Sequence, residues 1–423
     1  MEIKQLHSLF LNSKGVCTDT RTLQKDEIFF ALKGGNFNGN IYAKQALENR
    51  AKYVVIDEKE YEQENTILVK DVLATLQELA AYHRAYLNIP IIGITGSNGK
   101  TTTKELLSVV LNKKYKTFAT KGNLNNHIGV PLSLLSISNK HEMAIIEMGA
   151  NHVGEIETYC WWAMPNYGII TNIGKAHLEG FGGVEGVIKG KTELYKAVNK
   201  NNGLVFYNAD DAVLTEQSKK CNNNYSYAQN SQADFNFKIN SSGAFVKVSV
   251  GNTMINSHLI GNYNGVNIGT ALAIGSYFKI SLNEMKEAIE NYVPQNNRSE
   301  VIKFKDNTIV LDAYNANPSS MKVALESFNN IDNLHKIVIL GDMFEVGKTS
   351  SNEHKNLIDY ALAFNFEQCV FVGKAFYEHK NKLALFFETT PEAKKWFQAQ
   401  NFSKKYILIK GSRGMALEQL VKD

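Results

Sequence analysis

Short apolar runs alternate with amphipathic stretches along most of the chain. Segments 27–32 (EIFFAL), 53–57 (YVVID) and 66–70 (TILVK) have the length and the β-branched or aromatic content of strands. Leu73, Leu76, Ala80, His83 and Leu87 then recur at helical spacing, which predicts one amphipathic helix with His83 packed on its apolar face. Asn88-Ile89-Pro90 ends it, because the residue before a proline is pushed out of helical geometry. Ile91–Thr95 (IIGIT), 144–148 (AIIEM), 168–172 (GIITN) and 204–207 (LVFY) follow, separated by helical stretches. That alternation predicts a parallel sheet with helices on both faces. Between 235 and 259 the pattern changes. Phe235, Phe237 and Ile239, then Phe245, Val248 and Val250, contain period-2 runs, with Gly251-Asn252 as a turn, so an antiparallel ribbon is expected beside the sheet.

After Val293-Pro294, segments 309–313 (IVLDA), 336–340 (KIVIL), 369–372 (CVFV) and 406–409 (YILI) predict a third, Rossmann-like α/β domain. It lacks the GxGxxG of a dinucleotide site. The expected architecture is α/β in three domains, at 1–88, 89–294 and 295–423.

Composition narrows the function classes. The 423 residues are 44% hydrophobic and 21% charged, as in ordinary globular protein. Lysine and arginine number 46 against 42 acidic residues, and the resulting +4 is too weak for a nucleic-acid binder of this size. No apolar run approaches the ~20 residues of a membrane span. The opening MEIKQLHSLF lacks the basic and apolar regions of a signal peptide. Cys17, Cys160, Cys221 and Cys369 are scattered and form no CxxC pair, so reduced thiols in a cytoplasmic protein are expected.

The strongest chemical signal is IIGITGSNGKTTT at 91–103. An apolar strand runs into Gly96-Ser97-Asn98-Gly99-Lys100-Thr101 and then into a helix-compatible stretch. Glycines let backbone N–H groups close on phosphate oxygens at the positive end of a helix. Lys100 is placed to contact β/γ phosphates, and Thr101 or Thr102 to reach Mg²⁺. The spacing is GxxGKT; a standard GxxxxGK would need glycine where Ile94 stands. Glu147 and His177 each follow a predicted strand, and in a parallel sheet those ends share the edge that carries the loop. Glu147 is a candidate metal ligand, whereas His177 reads equally as a ligand or a solvated loop residue. Lys189 and Lys191 sit in a basic helical stretch whose spacing marks neither.

GITGSNGKTTTKE, EMGANHVGEI, TNIGKAHLEGFG, GKTEL and GNYNGVN together resemble the Mur ligase family, and the resemblance extends over essentially the whole chain. Within it, TDTRTLQKDEIFFALKG, LDAYNANPSSM at 311–321 and IKGSRGMALE at 409–418 resemble the branch that adds a dipeptide. The DNPR motif of the branch adding the third amino acid is absent. The resemblance implies ATP, Mg²⁺ and a CO₂-derived carbamylated lysine. It implies UDP-N-acetylmuramoyl-tripeptide and D-alanyl-D-alanine as substrates, a peptide bond made through an acyl phosphate, and a monomer without nucleic-acid or membrane partners.

Carried over by motif, Lys100 holds phosphates while Thr101, Glu147, His177 and Lys191 serve Mg²⁺ sites. Asn264 and Asn267 lie near adenine, Arg298 near the phosphates and Asp312 near the ribose. Asn315, Asn317 and Ser319, with Lys410, Ser412 and Arg413, are candidates for the dipeptide. Thr18, Asp19, Thr20, Arg21, Lys33 and Gly34 belong to the UDP-binding segment. Asn38-Gly39-Asn40 stands where the family reads close to DGH, a departure that leaves open any role carried by that Asp and His. Asn123, Asn125 and Asn126 either meet the muramoyl–peptide portion or form a helix-capping turn. Other readings stay open at this stage: a sister ligase adding another amino acid or glutamate to folate, and a P-loop NTPase with no amine substrate.

Overall fold

The computed structural model describes residues 1–174, 177–240, 245–294, 298–333 and 335–422. Near the N-terminus, Val16–Cys17, Ile28–Phe30, Tyr53–Ile56 and Thr66–Leu68 form a four-stranded parallel sheet in that order. The predicted helix spans Val72–Leu87, capped by the Asp71 side chain on Ala74 N–H and stopped at Asn88 in left-handed conformation. It packs on both Gly129–Leu135 and Glu155–Ala163. Arg84 Nε also donates to the Ala163 carbonyl at 2.8 Å. Leu6, Phe30 and Leu76 therefore share one continuous core with Ile146 and Leu194 of the next sheet.

That next sheet has seven parallel strands, in the order Phe235–Asn236, Asn224–Ala228, Leu204–Asn208, Tyr167–Ile170, Ile91–Thr95, Met143–Glu147 and Thr117–Ala119. Ile91–Thr95 is buried throughout. The chain leaves it toward the Thr117 edge but leaves Tyr167–Ile170 toward the opposite edge. The carboxyl ends of these two neighbours therefore flank a topological switch point, where open α/β sheets bind ligands. Ile92 and Ile94 pack in a second core under Lys100–Leu111 and Asn262–Tyr277.

The ribbon expectation needs one correction. Phe235–Asn236 pairs in parallel at the edge of the large sheet, and the antiparallel unit is a separate sheet of Lys238–Asn240, Phe245–Val250 and Thr253–Ile260. Residues 241–244, within that expected ribbon, lie outside the described residues, as does the start of the third expected domain at 295–297. The last sheet runs Glu300–Phe304, Asn307–Asp312, Tyr406–Lys410, Lys336–Gly341, Gln368–Val372 and Leu385–Phe387. Only its first pair is antiparallel. Among the described residues no helix is long and apolar enough to cross a membrane.

Candidate active site

The glycine-rich loop begins where Ile91–Thr95 ends. Gly96 has φ +143°, and a Cβ built there would lie 2.0 Å from Thr171 Oγ1. Gly99 has φ +79°, and a Cβ there would lie 2.7 Å from Asn267 Oδ1. Both positions thus require glycine on conformation and on space. The helix Lys100–Leu111 starts directly after, so its free N–H groups open at the loop mouth.

The loop is tied down on three sides. Ser97 Oγ accepts from Gly174 N–H at 2.9 Å. Thr171 Oγ1 and Asn172 Nδ2 both donate to the Asn98 carbonyl, at 2.6 and 2.9 Å. From behind, Thr103 Oγ1 donates to Asn267 Oδ1 at 3.1 Å, and Asn267 Nδ2 to Asn264 Oδ1 at 2.9 Å. Asn264 and Asn267 are therefore engaged as a buttress beneath the loop.

Lys100 Nζ donates to the carbonyls of Gly96 at 2.7 Å and Ser97 at 3.4 Å. It must leave them to meet a phosphate. Burial pulls its ammonium below the usual lysine range; Glu147 opposes that shift and Arg298 adds to it.

Glu147, 1% exposed, is held by two hydrogen bonds to one oxygen, from Thr101 Oγ1 at 3.0 Å and Asn125 Nδ2 at 2.8 Å. Its other oxygen, Oε2, is buried with no hydrogen-bond partner and faces Lys104 Nζ at 3.4 Å. Thr102 lies half-buried alongside. Among the described residues no three His, Cys, Asp or Glu cluster as a closed metal cage. Mg²⁺ needs none: it is usually held by one or two carboxylates together with substrate phosphates. A carboxylate with one unbonded buried oxygen beside a threonine hydroxyl fits that ion.

His177, at φ +52°, places Nδ1 2.5 Å from Glu345 Oε2 of the last domain. Burial lowers its pKa; the Glu345 carboxylate opposes this, and the charges of Lys100 and Lys191 reinforce it. Lys191 is 1% exposed, donates to the Ala150 carbonyl at 3.1 Å and lies 5.0 Å from the centre of the Phe181 ring. Burial first, and then Lys100, push its ammonium well below the usual range. Lys189 shows no comparable burial.

The last domain meets the loop directly. Asn317 Nδ2 donates to Asn98 Oδ1 at 2.8 Å, while its Oδ1 caps the helix Pro318–Asn329 by accepting from Ser320 N–H at 2.9 Å. His177, Asn315, Asn317, Phe344 and Glu345 line the cleft between the two domains. Ser319 Oγ lies across from Gly174, and Ser412 Oγ accepts from Phe344 N–H at 2.9 Å. Arg298 stacks on Tyr314, 3.7 Å from the ring centre. Asp312 accepts from Lys410 Nζ at 2.6 Å and from Ser299 N–H at 3.2 Å. Lys410, 3% exposed, is thereby committed inside the protein, whereas Arg413 pairs with Glu418 at 3.1 Å and keeps a largely exposed side chain.

The N-terminal candidates form their own cluster. Arg21 grips Asp19 with Nε and Nη2, which pulls the Asp19 carboxyl down to about 2. Thr18 and Thr20 are half-buried beside them. Lys33, on the exposed Lys33–Gly34 strand, pairs with Asp57 at 3.0 Å and Glu58 at 3.4 Å. Asn40 Nδ2 donates to Asp57 Oδ1 at 2.8 Å and Asn38 Nδ2 to Glu58 Oε2 at 2.9 Å, so the two asparagines anchor these carboxylates. In the 123–126 loop, Asn126 Oδ1 accepts from Gly129 N–H at 2.8 Å as a cap, Asn125 turns to Glu147, and Asn123 is exposed.

Sequence reasoning missed Lys104, Glu345 and the part Asn125 plays on Glu147. Lys104 carried a signal, since it follows Thr101 by three residues and Lys100 by four, on one helix face. Glu345 carried none, because its approach to His177 depends on how two domains meet.

The sequence pattern of the Mur ligase middle domain matches residues 94–275, and that of the Mur ligase glutamate ligase domain matches 297–413. The chain belongs to the Mur ligase family. The UDP-N-acetylmuramoyl-tripeptide–D-alanyl-D-alanine ligase of Bacillus subtilis is 34% identical, over 97% of this chain and 92% of its own. The Escherichia coli ligase of the same name is 30% identical, over 99% and 95%. Among solved structures, MurF from Acinetobacter baumannii superposes with a TM-score of 0.85 at 28% identity, covering 97% of this chain and 96% of its own. In this member of the family Lys100 of the glycine-rich loop feels the charges of Glu147, His177 and Lys191, and His177 reaches across to Glu345 of the last domain.

Proposed function

We propose that this Mur-family chain is the ATP-dependent ligase that joins D-alanyl-D-alanine to UDP-N-acetylmuramoyl-tripeptide in peptidoglycan precursor synthesis. The carrying observation is the near end-to-end likeness, at 30–34% identity, to ligases of that name. A glycine loop with Thr101 and Glu147 at hydrogen-bond distance supports the phosphate chemistry. Residues 1–88 receive the uridine end of the tripeptide substrate, 89–294 bind ATP, and 295–423 present the dipeptide. The free thiols at all four cysteines suit a cytoplasmic reaction.

A carboxylate resists attack by an amine, so it is first activated. The tripeptide's terminal carboxylate oxygen bonds to the γ-phosphorus as the bond to ADP breaks. The neutral amine of the dipeptide then adds to the acyl carbonyl, the tetrahedral adduct expels phosphate, and the extra amine proton leaves to solvent. The protein's work is positioning and charge neutralisation. Lys100 turns from the Gly96 carbonyl to the transferring phosphoryl group, and Arg298 adds a second cation. Thr101 and Glu147 hold Mg²⁺, which when bound neutralises phosphate charge. The Asn98–Asn317 contact brings the dipeptide-presenting domain against the loop.

Lys191 joins as a carbamate. Its ammonium, disfavoured by burial and by Lys100, first gives up a proton; the freed amine forms an N–C bond to CO₂ and releases a second proton to solvent. The resulting anion replaces a cation beside His177 and offers oxygen to a second Mg²⁺. Carbon-13 NMR in labelled bicarbonate reads it directly: a carbamate resonance is expected, and is absent in Lys191→Ala. Short carboxylic acids should partly restore that nearly inactive variant, and full activity without them would reject the role.

The reaction is tested by phosphate release from ATP against a panel of UDP-muramoyl peptides, with and without D-alanyl-D-alanine. Turnover that needs both the tripeptide and the dipeptide is expected. Turnover with another amino acid, or with neither substrate, would overturn the proposal.

A further inference from the structure

Lys104 is 2% exposed and Glu147 1% exposed, and their charged atoms stand 3.4 Å apart. Removing one partner of such a buried pair leaves the other charge uncompensated, which is strongly unfavourable. The arrangement around Glu147 is asymmetric. Oε1 takes both hydrogen bonds, from Thr101 and Asn125, whereas Oε2 takes none and faces the ammonium. Oε2 is thus the oxygen left for a metal ion, and any ion reaching it approaches a fixed positive charge. A divalent ion arriving alone meets that repulsion in a poorly solvated site. One arriving with phosphates brings its own compensating negative charge.

We infer that Lys104 is a positioning residue that stands as the built-in counter-cation of Glu147 and makes Mg²⁺ entry conditional on nucleotide. Lys104 keeps the carboxylate aimed and its charge compensated before substrate arrives, and it weakens the site for the bare ion. This rests on the reading of Glu147 as a Mg²⁺ ligand, and the test separates the two. The variants are Lys104→Met, which keeps the apolar length of the side chain and drops its charge, Glu147→Gln, and the double variant. Thermal unfolding of the full chain is followed while Mg²⁺ alone is titrated, and ADP binding is then measured across Mg²⁺ concentrations.

Wild type should gain no stability from Mg²⁺ alone. Lys104→Met should unfold at lower temperature without metal and recover as Mg²⁺ alone is added, with an apparent affinity for the bare ion ~10-fold or more tighter than wild type. The double variant, which leaves no charge unpaired, should fold and ignore Mg²⁺ alone. A Lys104→Met protein that loses stability without recovering in Mg²⁺ would reduce Lys104 to a structural residue and overturn the inference. So would a double variant that fails to fold, or a wild type that binds the bare ion as tightly as Lys104→Met. If Glu147→Gln left the Mg²⁺ dependence of ADP binding unchanged, the metal role of Glu147 itself would fall, and the inference with it.

Discussion

Replacing Gly96 by alanine should disable nucleotide binding without touching a charged group. The new methyl would sit 2.0 Å from Thr171 Oγ1, 3.0 Å from Thr171 N and 3.2 Å from Asn172 N, at a φ of +143°. Backbone strain of this kind costs about 1–3 kcal/mol. Overpacking a filled site costs about 1–3 kcal/mol more. If Thr171 rotates away, its 2.6 Å hydrogen bond to the Asn98 carbonyl is lost as well, at about 1 kcal/mol. The total is on the order of 3–7 kcal/mol if the loop is forced to keep its shape for nucleotide, equivalent to ~10²–10⁵ in Kd. Calorimetric titration with ADP and Mg²⁺ reads the affinity, and urea unfolding reads the stability. Adding Thr171→Ala removes the closest contact but leaves the φ and the two backbone nitrogens. The double variant should therefore recover ~1–2 kcal/mol relative to additive single effects. A Gly96→Ala protein with ADP affinity within twofold of wild type and an unchanged unfolding midpoint would refute the reasoning. A double variant showing no recovery would refute the part assigned to Thr171.

Two further outcomes follow from buried groups. Lys100→Ala should cut the ligation rate by ~10²–10³, the usual cost of one preorganised electrostatic donor, and near-normal turnover in steady-state kinetics would show that the loop is not the phosphate site. His7 and His83 are buried with Nε2 and Nδ1 3.0 Å apart, and burial lowers both pKa values. Because their folded values lie below the unfolded value, the stability they contribute is complete above pH ~6.5 and is lost as pH falls through the folded values; the urea midpoint should drop between pH 7 and 5, less steeply in His7→Phe, and an identical pH dependence in that variant would reject the assignment.

The fold was legible wherever strands are buried on both faces. Ile91–Thr95, Ile28–Phe30 and Gln368–Val372 are near-continuous apolar runs because helices cover each side. The strands that escaped notice are short or lie toward sheet edges. Thr117–Ala119 and Leu385–Phe387 have three residues each. Asn224–Ala228 begins with an exposed asparagine, so its periodicity is broken where a reader would look for it. The misread ribbon has a related cause. Phe235 and Ile239 do alternate, but alternation does not say which partner a strand finds, and Phe235–Asn236 pairs with Tyr227 and Ala228 of the large sheet instead.

The site divides along the same line between local and distant causes. The loop could be read from GSNGKT because glycine, lysine and helix start are consecutive, and their chemistry follows from backbone geometry alone. Glu147 could be placed on the same edge because parallel strands all end there. What holds Glu147 was only partly legible: Lys104 shares a helix face with Lys100 and Thr101, whereas Asn125 reaches it from a loop that neighbours it only after folding. The polar residues around the loop show why motif-bearing residues outnumber those free to touch a ligand. Asn264, Asn267 and Lys410 are each spent on an internal partner. A buried amide or ammonium left without a partner would cost more than a bond to ligand returns before the ligand is there. A loop that must bind several phosphate charges and then release them therefore keeps its own backbone rigid with neutral amides. It leaves the mobile charge to the few groups that can exchange partners, such as Lys100 between the Gly96 carbonyl and a phosphate.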